Sequence, residues 1–374
     1  DRLDGCNQRD YLLGGVVYDY LHGGTVNDVL IGGVGNDTLK GARGNDTYIF
    51  SRGAGKDTID ESAFVEQEYT ITEQVAQTVA NFVSVTKYKT VKSGKGTVRK
   101  KFTTQVRNGT KRIWVNETRT ATRMVAVEGG DDTLQFAGSI SISDLLVNKV
   151  GNDLVVQLAP QSDGGEVVDQ VTIKQWNYHQ FRIEAFVFQN GFSLDTERVH
   201  YAKTGNDNAN TLTAVGGRES WLAGRGGNDN ITGSVYSDVL VGGTGQDTLR
   251  GGNGDDVYVF ELGDGKDTIL DSGSVRETVD DLQLLNGEVF GDKIVFGNGI
   301  SIEHISLARS GDDLKIYVRD PGSNDWEDKS AVADVLTVKN WVNTSNRVES
   351  LQFYDGTDLD ISRITYAWTG GSAN

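Results

Sequence analysis

Gly32-Gly33-Val34-Gly35-Asn36-Asp37-Thr38-Leu39-Lys40 is the clearest copy of a nine-residue pattern that decides the fold of this chain. The aspartate at its sixth position recurs every nine residues in two arrays, and an apolar residue or tyrosine follows two positions later. The first array contains Asp10, Asp19, Asp28, Asp37 and Asp46, and the second contains Asp229, Asp238, Asp247 and Asp256. A period of nine fits no helix face, and it predicts a short strand plus a tight turn stacked as a solenoid.

The chemistry of one repeat explains how it can fold. Glycines supply the positive φ values of the turn without a Cβ penalty, and the triplet after each aspartate makes a minimal strand whose apolar residue points inward. Stacking then brings aspartates on one side into register, and such a column of like charges needs a cation between its members. Carboxylate and carbonyl oxygens select Ca²⁺ over transition metals. In the alternative interpretation, Asn and Asp only cap the turns.

The pattern Gly-Gly-x-Gly-x-Asp-x-apolar-x resembles the RTX repeats of bacterial type I-secreted proteins. The resemblance implies an all-β protein with two parallel β-rolls that hold Ca²⁺ between turns. The implied carboxylate ligands are Asp10, Asp19, Asp28, Asp37, Asp46, Asp57, Asp229, Asp238, Asp247, Asp256 and Asp267. The implied carbonyl donors are Gly24, Gly33, Gly35, Gly44, Gly227, Gly243, Gly245, Gly252 and Gly254.

Some repeats depart from the pattern. Val16-Val17-Tyr18 and Ser234-Val235-Tyr236 replace turn glycines, so we expect the sites at those turns to be weak or empty. Ser220 stands where an aspartate is due, which predicts one ion fewer at the start of the second array.

A whole module is duplicated. Residues 53–59 match residues 263–269 at an offset of 210, the Gly-Asn-Asp-Leu segment at residue 151 matches Gly-Asp-Asp-Leu at residue 311, and Trp176 matches Trp341. These β-rich segments resemble those that follow RTX blocks. We expect the two tryptophans to be buried core residues that cap the open end of the roll, rather than residues that bind a ligand. The predicted domains are roll 1 (residues 1–61), a basic β-meander insertion (62–130), cap 1 (131–200), roll 2 (201–272), cap 2 (273–366) and the start of a third repeat (367–374). We therefore expect the chain to be a piece of a longer tandem protein.

The insertion is basic in an acidic chain. Residues 81–125 hold twelve Lys or Arg and one acid, whereas the net charge of the whole chain is −17. Three strand-like runs, at 82–92, 97–107 and 111–127, predict the meander. One interpretation is a patch for an anionic partner such as a cell-surface glycan; the other is a solvated hairpin that keeps an edge soluble or neutralises the acidic roll. The candidate patch residues are Lys87, Lys89, Arg99, Lys100, Lys101, Lys111 and Arg112.

Other functions find little support in the sequence. The acidic charge disfavours nucleic acid as a partner, and no apolar run is long enough to span a membrane. One cysteine, Cys6, excludes an internal disulfide, and four scattered histidines show no zinc spacing. The acid pair Asp131-Asp132 is more typical of a turn than of acid/base catalysis. No nucleophile or phosphate-binding motif is present, so we expect no enzyme in this chain.

Two biological roles remain open. The first is a Ca²⁺-stiffened tandem module of a secreted adhesin or surface-layer-like protein, in contact with neighbouring modules. The second is the Ca²⁺-dependent folding and export region of a toxin or hydrolase whose active domain lies elsewhere. The resemblance implies type I export to the cell surface or the medium in both cases.

Overall fold

The computed structural model describes residues 1–62, 64–79, 87–93, 96–102, 111–126, 129–160, 168–189, 192–196, 199–215, 217–273, 291–320 and 332–362. The all-β prediction is confirmed, and parallel strand pairs dominate both rolls. Helical structure in the described residues consists of 3₁₀ turns at Ile142–Asp144, His179–Phe181, Ile302–His304 and Thr344–Asn346. None of these is long and apolar enough to cross a bilayer. The expected start of a third repeat, at 367–374, lies outside the described residues.

Roll 1 consists of two parallel sheets that face each other. Its strands are β1 (Arg2–Asp4), β2 (Tyr11–Val16), β3 (Tyr20–Thr25), β4 (Val29–Val34), β5 (Thr38–Arg43), β6 (Thr47–Phe50) and β7 (Lys56–Ile59). Successive strands alternate between the sheets, so β2, β4 and β6 lie in one sheet and β1, β3, β5 and β7 in the other. Most strands therefore pair with the strand 18 residues away, as Leu12 does with Leu30, and only β5 and β7 pair 20 residues apart. One coil of the roll is two nine-residue repeats.

The apolar residue of each triplet forms the core of roll 1. Leu21, Leu30 and Leu39 are all buried between the sheets, and Tyr48 takes the same place in the last repeat. Burial of one leucine side chain stabilises the fold by about 1.5–3 kcal/mol. The regular spacing of these residues fixes the register of the coils, because a slip of one residue would turn every leucine toward solvent.

Cap 1 continues the two sheets of roll 1. Its strands are β12 (Thr133–Phe136), β13 (Leu145–Val150), β14 (Asp153–Leu158), β15 (Gln170–Ile173), β16 (Ala185–Val187) and β17 (Ser193–Asp195). β12 pairs in parallel with β6, and β15 pairs in parallel with β7. Antiparallel strands then end each sheet. Trp176 is fully buried, with its Nε1–H donating to the Val199 carbonyl at 2.6 Å and the Arg182 guanidinium 5.3 Å from its ring centre.

Roll 2 and cap 2 repeat this architecture. The strands of roll 2 are β18 (Tyr201–Thr204), β19 (Thr211–Thr213), β20 (Ser220–Gly226), β21 (Asn230–Thr232), β22 (Val239–Thr244), β23 (Thr248–Arg250), β24 (Val257–Phe260) and β25 (Lys266–Ile269). Those of cap 2 are β26 (Lys293–Phe296), β27 (Ile305–Ser310), β28 (Asp313–Val318), β29 (Asp334–Val338), β30 (Ser350–Gln352) and β31 (Asp358–Asp360). Trp341 is buried under the Arg347 guanidinium, which lies 4.8 Å from the ring centre. Both tryptophans are part of the core.

The insertion is a compact unit of its own, Ser62–Glu128. Its strands are β8 (Phe64–Val79), β9 (Lys87–Ser93), β10 (Gly96–Phe102) and β11 (Lys111–Ala126), and they form one antiparallel sheet in the order β8-β11-β10-β9. The last three strands are the predicted meander. The sequence analysis missed β8, which pairs with β11 along its whole length from Phe64↔Ala126 to Val79↔Lys111.

Candidate metal centre

The aspartates of roll 1 are linked by hydrogen bonds that run along the roll. The main-chain N–H of Asp19 donates to Oδ1 of Asp37 at 2.8 Å, and that of Asp28 donates to Oδ1 of Asp46 at 2.7 Å. Partners lie 18 residues apart because strands of one sheet lie 18 residues apart. The array is therefore two columns of aspartates, one on each side of the roll.

Roll 2 has the same two columns. The N–H of Asp229 donates to Oδ1 of Asp247, and that of Asp238 donates to Oδ1 of Asp256, both at 2.7 Å. The longer step at the end of the array keeps the register, since Asp247 reaches Oδ1 of Asp267 at 2.8 Å. Asp57 occupies the equivalent position beside Asp37.

One column of each roll extends into the cap, which the sequence analysis did not find. The N–H of Asp46 donates to Oδ1 of Asp132 at 2.8 Å, and Asp132 in turn donates to the Glu184 carboxylate. Asp132 is buried, and these hydrogen bonds make it a member of the column; the sequence analysis favoured a turn over acid/base catalysis for this acid and did not assign it to the column. The signal was present in the sequence, because Asp132-Thr133-Leu134 repeats the Asp-x-apolar triplet of the array.

The same extension occurs in the second module. The N–H of Asp256 donates to Oδ1 of Asp292, and the N–H of Asp292 donates to Oε2 of Glu349, both at 2.8 Å. Asp292-Lys293-Ile294 again carries the triplet. The columns therefore belong to the roll and cap together.

The second carboxylate oxygen of most column aspartates is buried without a donor. Among the described residues, Oδ2 has no hydrogen-bond partner in Asp10, Asp19, Asp28, Asp37, Asp46, Asp229, Asp247 and Asp256. Each Oδ2 lies against the first glycine of its own turn: a Cβ added to Gly32 would stand 2.5 Å from Oδ2 of Asp37, and one on Gly242 2.5 Å from Oδ2 of Asp247. Buried anionic oxygens without donors, close to turn carbonyls, fit a hard divalent cation such as Ca²⁺.

Burial makes the negative charge of the columns unfavourable without a cation. Desolvation is the main cause that raises the pKa of Asp46 and of Asp57 to about 7, and that of Asp256 to about 8. The pKa of Asp267 is raised to about 8 for the same reason. Neighbouring carboxylates add to each increase, whereas hydrogen bonds from main-chain N–H groups oppose it.

A second arrangement of acids closes roll 2. Asp256, Asp271 and Asp292 are all buried, and each offers a carboxylate oxygen within 4.8 Å of the other two. The hydroxyl of Tyr258 donates to Oδ1 of Asp271 at 2.8 Å and accepts from the Gly251 N–H at 3.0 Å. We call these three acids the closing cluster. The sequence analysis missed Asp271 and Asp292, which lie beyond the nine-residue spacing.

Roll 1 closes in a related way. The hydroxyl of Tyr48 donates to the buried Glu61 carboxylate, which also accepts from the N–H groups of Gly41 and Ala42 at 2.8 and 2.9 Å. Tyr48 and Tyr258 both replace the apolar residue of the last repeat. The tyrosine side chain is long enough for its hydroxyl to reach Glu61 in roll 1 and Asp271 in roll 2.

The atypical turns keep the roll geometry at a conformational cost. Val17 and Arg225 adopt φ values of 78° and 84°, a region that costs a residue with a Cβ about 1–2 kcal/mol. Ser234 donates its N–H to Oδ2 of Asp238, and in this aspartate it is Oδ1 that is buried without a hydrogen-bond partner. The expectation of weaker sites at these turns stays a prediction.

The strand register divides the candidate patch of the insertion between two faces. Lys100 pairs with Lys89, and Lys101 pairs with Tyr88, on neighbouring antiparallel strands. Successive residues of a strand alternate between faces. The register therefore places Lys87, Lys89, Lys100 and Lys111 on one face of the sheet and Arg99, Lys101 and Arg112 on the other.

Comparison with known families agrees with the repeat structure. The RTX calcium-binding nonapeptide repeat matches residues 19–48, 223–258 and 232–269, and the haemolysin-type calcium binding protein related domain matches residues 313–363. Together with the parallel rolls, these matches show that the chain contains calcium-binding RTX repeats. Roll 1 and roll 2 carry those repeats, and cap 2 carries the related domain.

Comparisons with whole proteins give a more distant likeness. No curated protein matches the chain. Among solved structures, the crystal structure of extracellular lipase LipA from Serratia marcescens is similar at 16% sequence identity with a TM-score of 0.27. That likeness covers 86% of this chain and 37% of the lipase chain.

Proposed function

We propose that this chain is a Ca²⁺-dependent folding module in which both rolls close when their aspartate columns bind Ca²⁺. The observation that carries the proposal is the row of buried Oδ2 atoms without a protein donor. The proposed ligands are the column aspartates and the carbonyls of the turn glycines. Bound Ca²⁺ would supply the positive charge that these oxygens lack.

The residues of the chain explain why folding and binding are coupled. Each column holds carboxylates that repel one another, and the turn glycines give up much conformational freedom when the coils form. Main-chain N–H groups hold Oδ1 of column aspartates such as Asp37 and Asp46, which leaves Oδ2 against the first glycine of the aspartate's own turn. Extracellular modules bind Ca²⁺ with dissociation constants of about 10⁻⁴–10⁻³ M, so the rolls are open at cytosolic Ca²⁺ and closed outside the cell.

The proposed setting is a bacterial protein exported through a type I channel and folded in the medium or at the cell surface. The packing of roll 2 on cap 1, described below, supports a tandem module of an adhesin or surface-layer-like protein without catalytic activity of its own. The other candidate setting is the export region of a toxin or hydrolase. The Ca²⁺ switch is common to both.

A Ca²⁺ titration followed by circular dichroism tests the switch, with Mg²⁺ as the control ion. We expect a cooperative gain of β signal with Ca²⁺ alone. The variant Asp37→Asn should shift the midpoint to higher Ca²⁺, whereas Asp131→Asn, at an exposed position, should leave it unchanged. A complete fold in EDTA at pH 8, or equal midpoints for both variants, would contradict the proposal.

A further inference from the structure

Roll 2 has one sheet that is buried on both faces. The inner residues of β20, β22 and β24 fill the core of roll 2, while their outer residues belong to the hydrophobic cluster of cap 1. The outer residues are Trp221, Ala223, Val239, Val241 and Val259. On cap 1 they meet the apolar segment that includes Ile142, Leu145 and Val147. Cap 1 thus covers the outer face of the roll that follows it.

Polar contacts fix this packing. The N–H of Thr204 donates to Oδ1 of Asn148, and its hydroxyl donates to the Val147 carbonyl, both at 3.0 Å. Burial raises the pKa of the Glu261 carboxylate, whereas interactions with Ser143 and Ser141 of cap 1 lower it. The contact has an apolar centre and the two hydrogen bonds of Thr204 at its edge, whereas Nε1 of Trp221 and Oε1 of Glu261 are buried there without a hydrogen-bond partner among the described residues.

None of the described residues of the rolls and caps covers the equivalent face of roll 1. At the offset of 210, Tyr11 and Leu13 occupy the positions of Trp221 and Ala223, yet they are 66% and 57% exposed, against 0% and 4%. Val29, Ile31 and Ile49 occupy the next positions of this face and are only half-buried. Strands with apolar residues on both faces are typical of sheets covered on both sides.

Apolar residues on the outer face are confined to one of the two sheets of roll 1, as its opposite sheet shows. There the outward positions of β5 and β7 are Thr38, Lys40, Lys56 and Thr58, which suit contact with water. One outer face of roll 1 is therefore polar, and the other is built like the face that cap 1 covers in roll 2.

Cap 2 carries the matching half of the interface. At the offset of 160, Ile302 occupies the position of Ile142, and it is 47% exposed where Ile142 is 3% exposed. Ile305 and Leu307 stand at the positions of Leu145 and Val147, and they are half-buried where their equivalents are buried. Within the described parts of the rolls and caps, each side of the internal interface thus has an uncovered copy.

We propose that the outer face of β2, β4 and β6 is a docking surface for the segment 300–308 of a second copy of this chain. The polar pair is exchanged in a complementary way, since Glu303 stands where cap 1 has Ser143, and Ser51 stands where roll 2 has Glu261. In the proposed contact the carboxylate is therefore on the cap and the hydroxyl on the roll, the reverse of their arrangement between cap 1 and roll 2. Residues 366–370 also repeat the sequence of residues 201–205, which include β18 at the edge of roll 2. Such a head-to-tail contact joins two different faces, so it builds rings or linear chains of copies rather than a dimer with a single shared face.

Two single-face variants test the docking with the whole chain in saturating Ca²⁺. Leu13→Glu blocks the face of roll 1, and Ile302→Glu blocks the face of cap 2; both positions are exposed, so the fold is retained. Val215→Glu, at an exposed apolar position outside both faces, is the matched control. Sedimentation velocity measures the mass of each protein over a range of concentrations.

We expect the unmodified chain and Val215→Glu to at least double their average mass as concentration rises, and each single-face variant to stay a monomer. An equimolar mixture of Leu13→Glu and Ile302→Glu should form a 1:1 dimer and stop there, because one open face of each remains. A monomeric unmodified chain would overturn the proposal. So would variants that assemble as the unmodified chain does, or a mixture that stays monomeric while circular dichroism shows both variants folded.

Discussion

The N–H of Asp46 donates to Oδ1 of Asp132 at 2.8 Å, although 86 residues separate them. The contact carries the aspartate column of roll 1 past the insertion and into cap 1. Both residues are buried. The cap is thus part of the same acidic column as the repeats.

Replacing Asp132 should therefore destabilise roll 1, although Asp132 lies outside the repeats in the sequence. Asp132→Ala leaves the buried N–H of Asp46 without its acceptor, and we expect a loss of about 1–3 kcal/mol in the free energy of unfolding. Urea denaturation at saturating Ca²⁺ measures it. Asp131→Ala changes the exposed neighbour and serves as the control; equal effects of the two changes would refute this role of the column.

The stability of the Ca²⁺-free fold should fall as pH rises. The folded-state pKa is about 7 for Asp46 and about 8 for Asp256 and Asp267, all above the usual 3.8. A raised pKa means that the folded state binds more protons, so this stability is present below about pH 4 and is lost as pH rises through 7–8. In EDTA, circular dichroism should therefore show more β signal at pH 5 than at pH 8, and equal signals at the two pH values would contradict this prediction.

Ca²⁺ should reverse that trend, because protons compete with the ion for the same oxygens. The Ca²⁺ concentration at the folding midpoint should be lower at pH 8 than at pH 6. A midpoint independent of pH over this range would show that the buried carboxylates are not the ligands.

Alanine substitutions at Gly15 and Gly33 distinguish the cost of a strained backbone conformation from the cost of a steric overlap between stacked turns. Gly15 and Gly33 have φ values of 107° and 101°, but an added Cβ meets nothing near Gly15 and overlaps the Gly15 carbonyl when placed on Gly33. Gly15→Ala should cost about 1–2 kcal/mol for its conformation alone, and Gly33→Ala clearly more. Ca²⁺-dependent folding midpoints of the two variants provide the comparison, and similar shifts would argue against close stacking of the turns.

The closing cluster should contribute to Ca²⁺ binding. Asp271→Asn removes one of three buried charges, so isothermal titration calorimetry should show fewer bound ions or a weaker class of sites. Asp360→Asn, at an exposed position, is the control. Unchanged stoichiometry and affinity in Asp271→Asn would exclude the cluster as a Ca²⁺ site.

The two faces of the insertion can be tested separately for an anionic partner. One variant changes Lys87, Lys89 and Lys100 to Glu, and a second changes Arg99, Lys101 and Arg112 to Glu, which reverses three charges on one face each. In a screen of anionic glycans, we expect one variant to lose binding and the other to retain it. Binding by neither the unmodified chain nor the variants would favour the interpretation of a solvated sheet.

Much of the roll could be predicted from local pattern. The Asp-x-apolar triplets marked the strands and the buried leucines, because each repeat forms its strand and turn from its own residues. Strand β8 was missed, since its long run between Phe64 and Val79 has no turn signal and is recognised only by its pairing with β11. Glu184 and Glu349 lie at equivalent positions of the two caps, at the offset of 165 that also relates Trp176 to Trp341, but their place in the columns depends on how the caps fold back.

The sequence by itself determined the nine-residue unit, the duplicated module and the oxygen-rich chemistry that selects Ca²⁺. Only the tertiary structure decided which aspartates are neighbours. Successive strands alternate between two sheets, so the partner of Asp28 is Asp46, and the partner of Asp46 is Asp132. It also decided which apolar residues are covered, because the burial of Trp221 and the exposure of Tyr11 depend on whether a cap packs against the outer face of the roll.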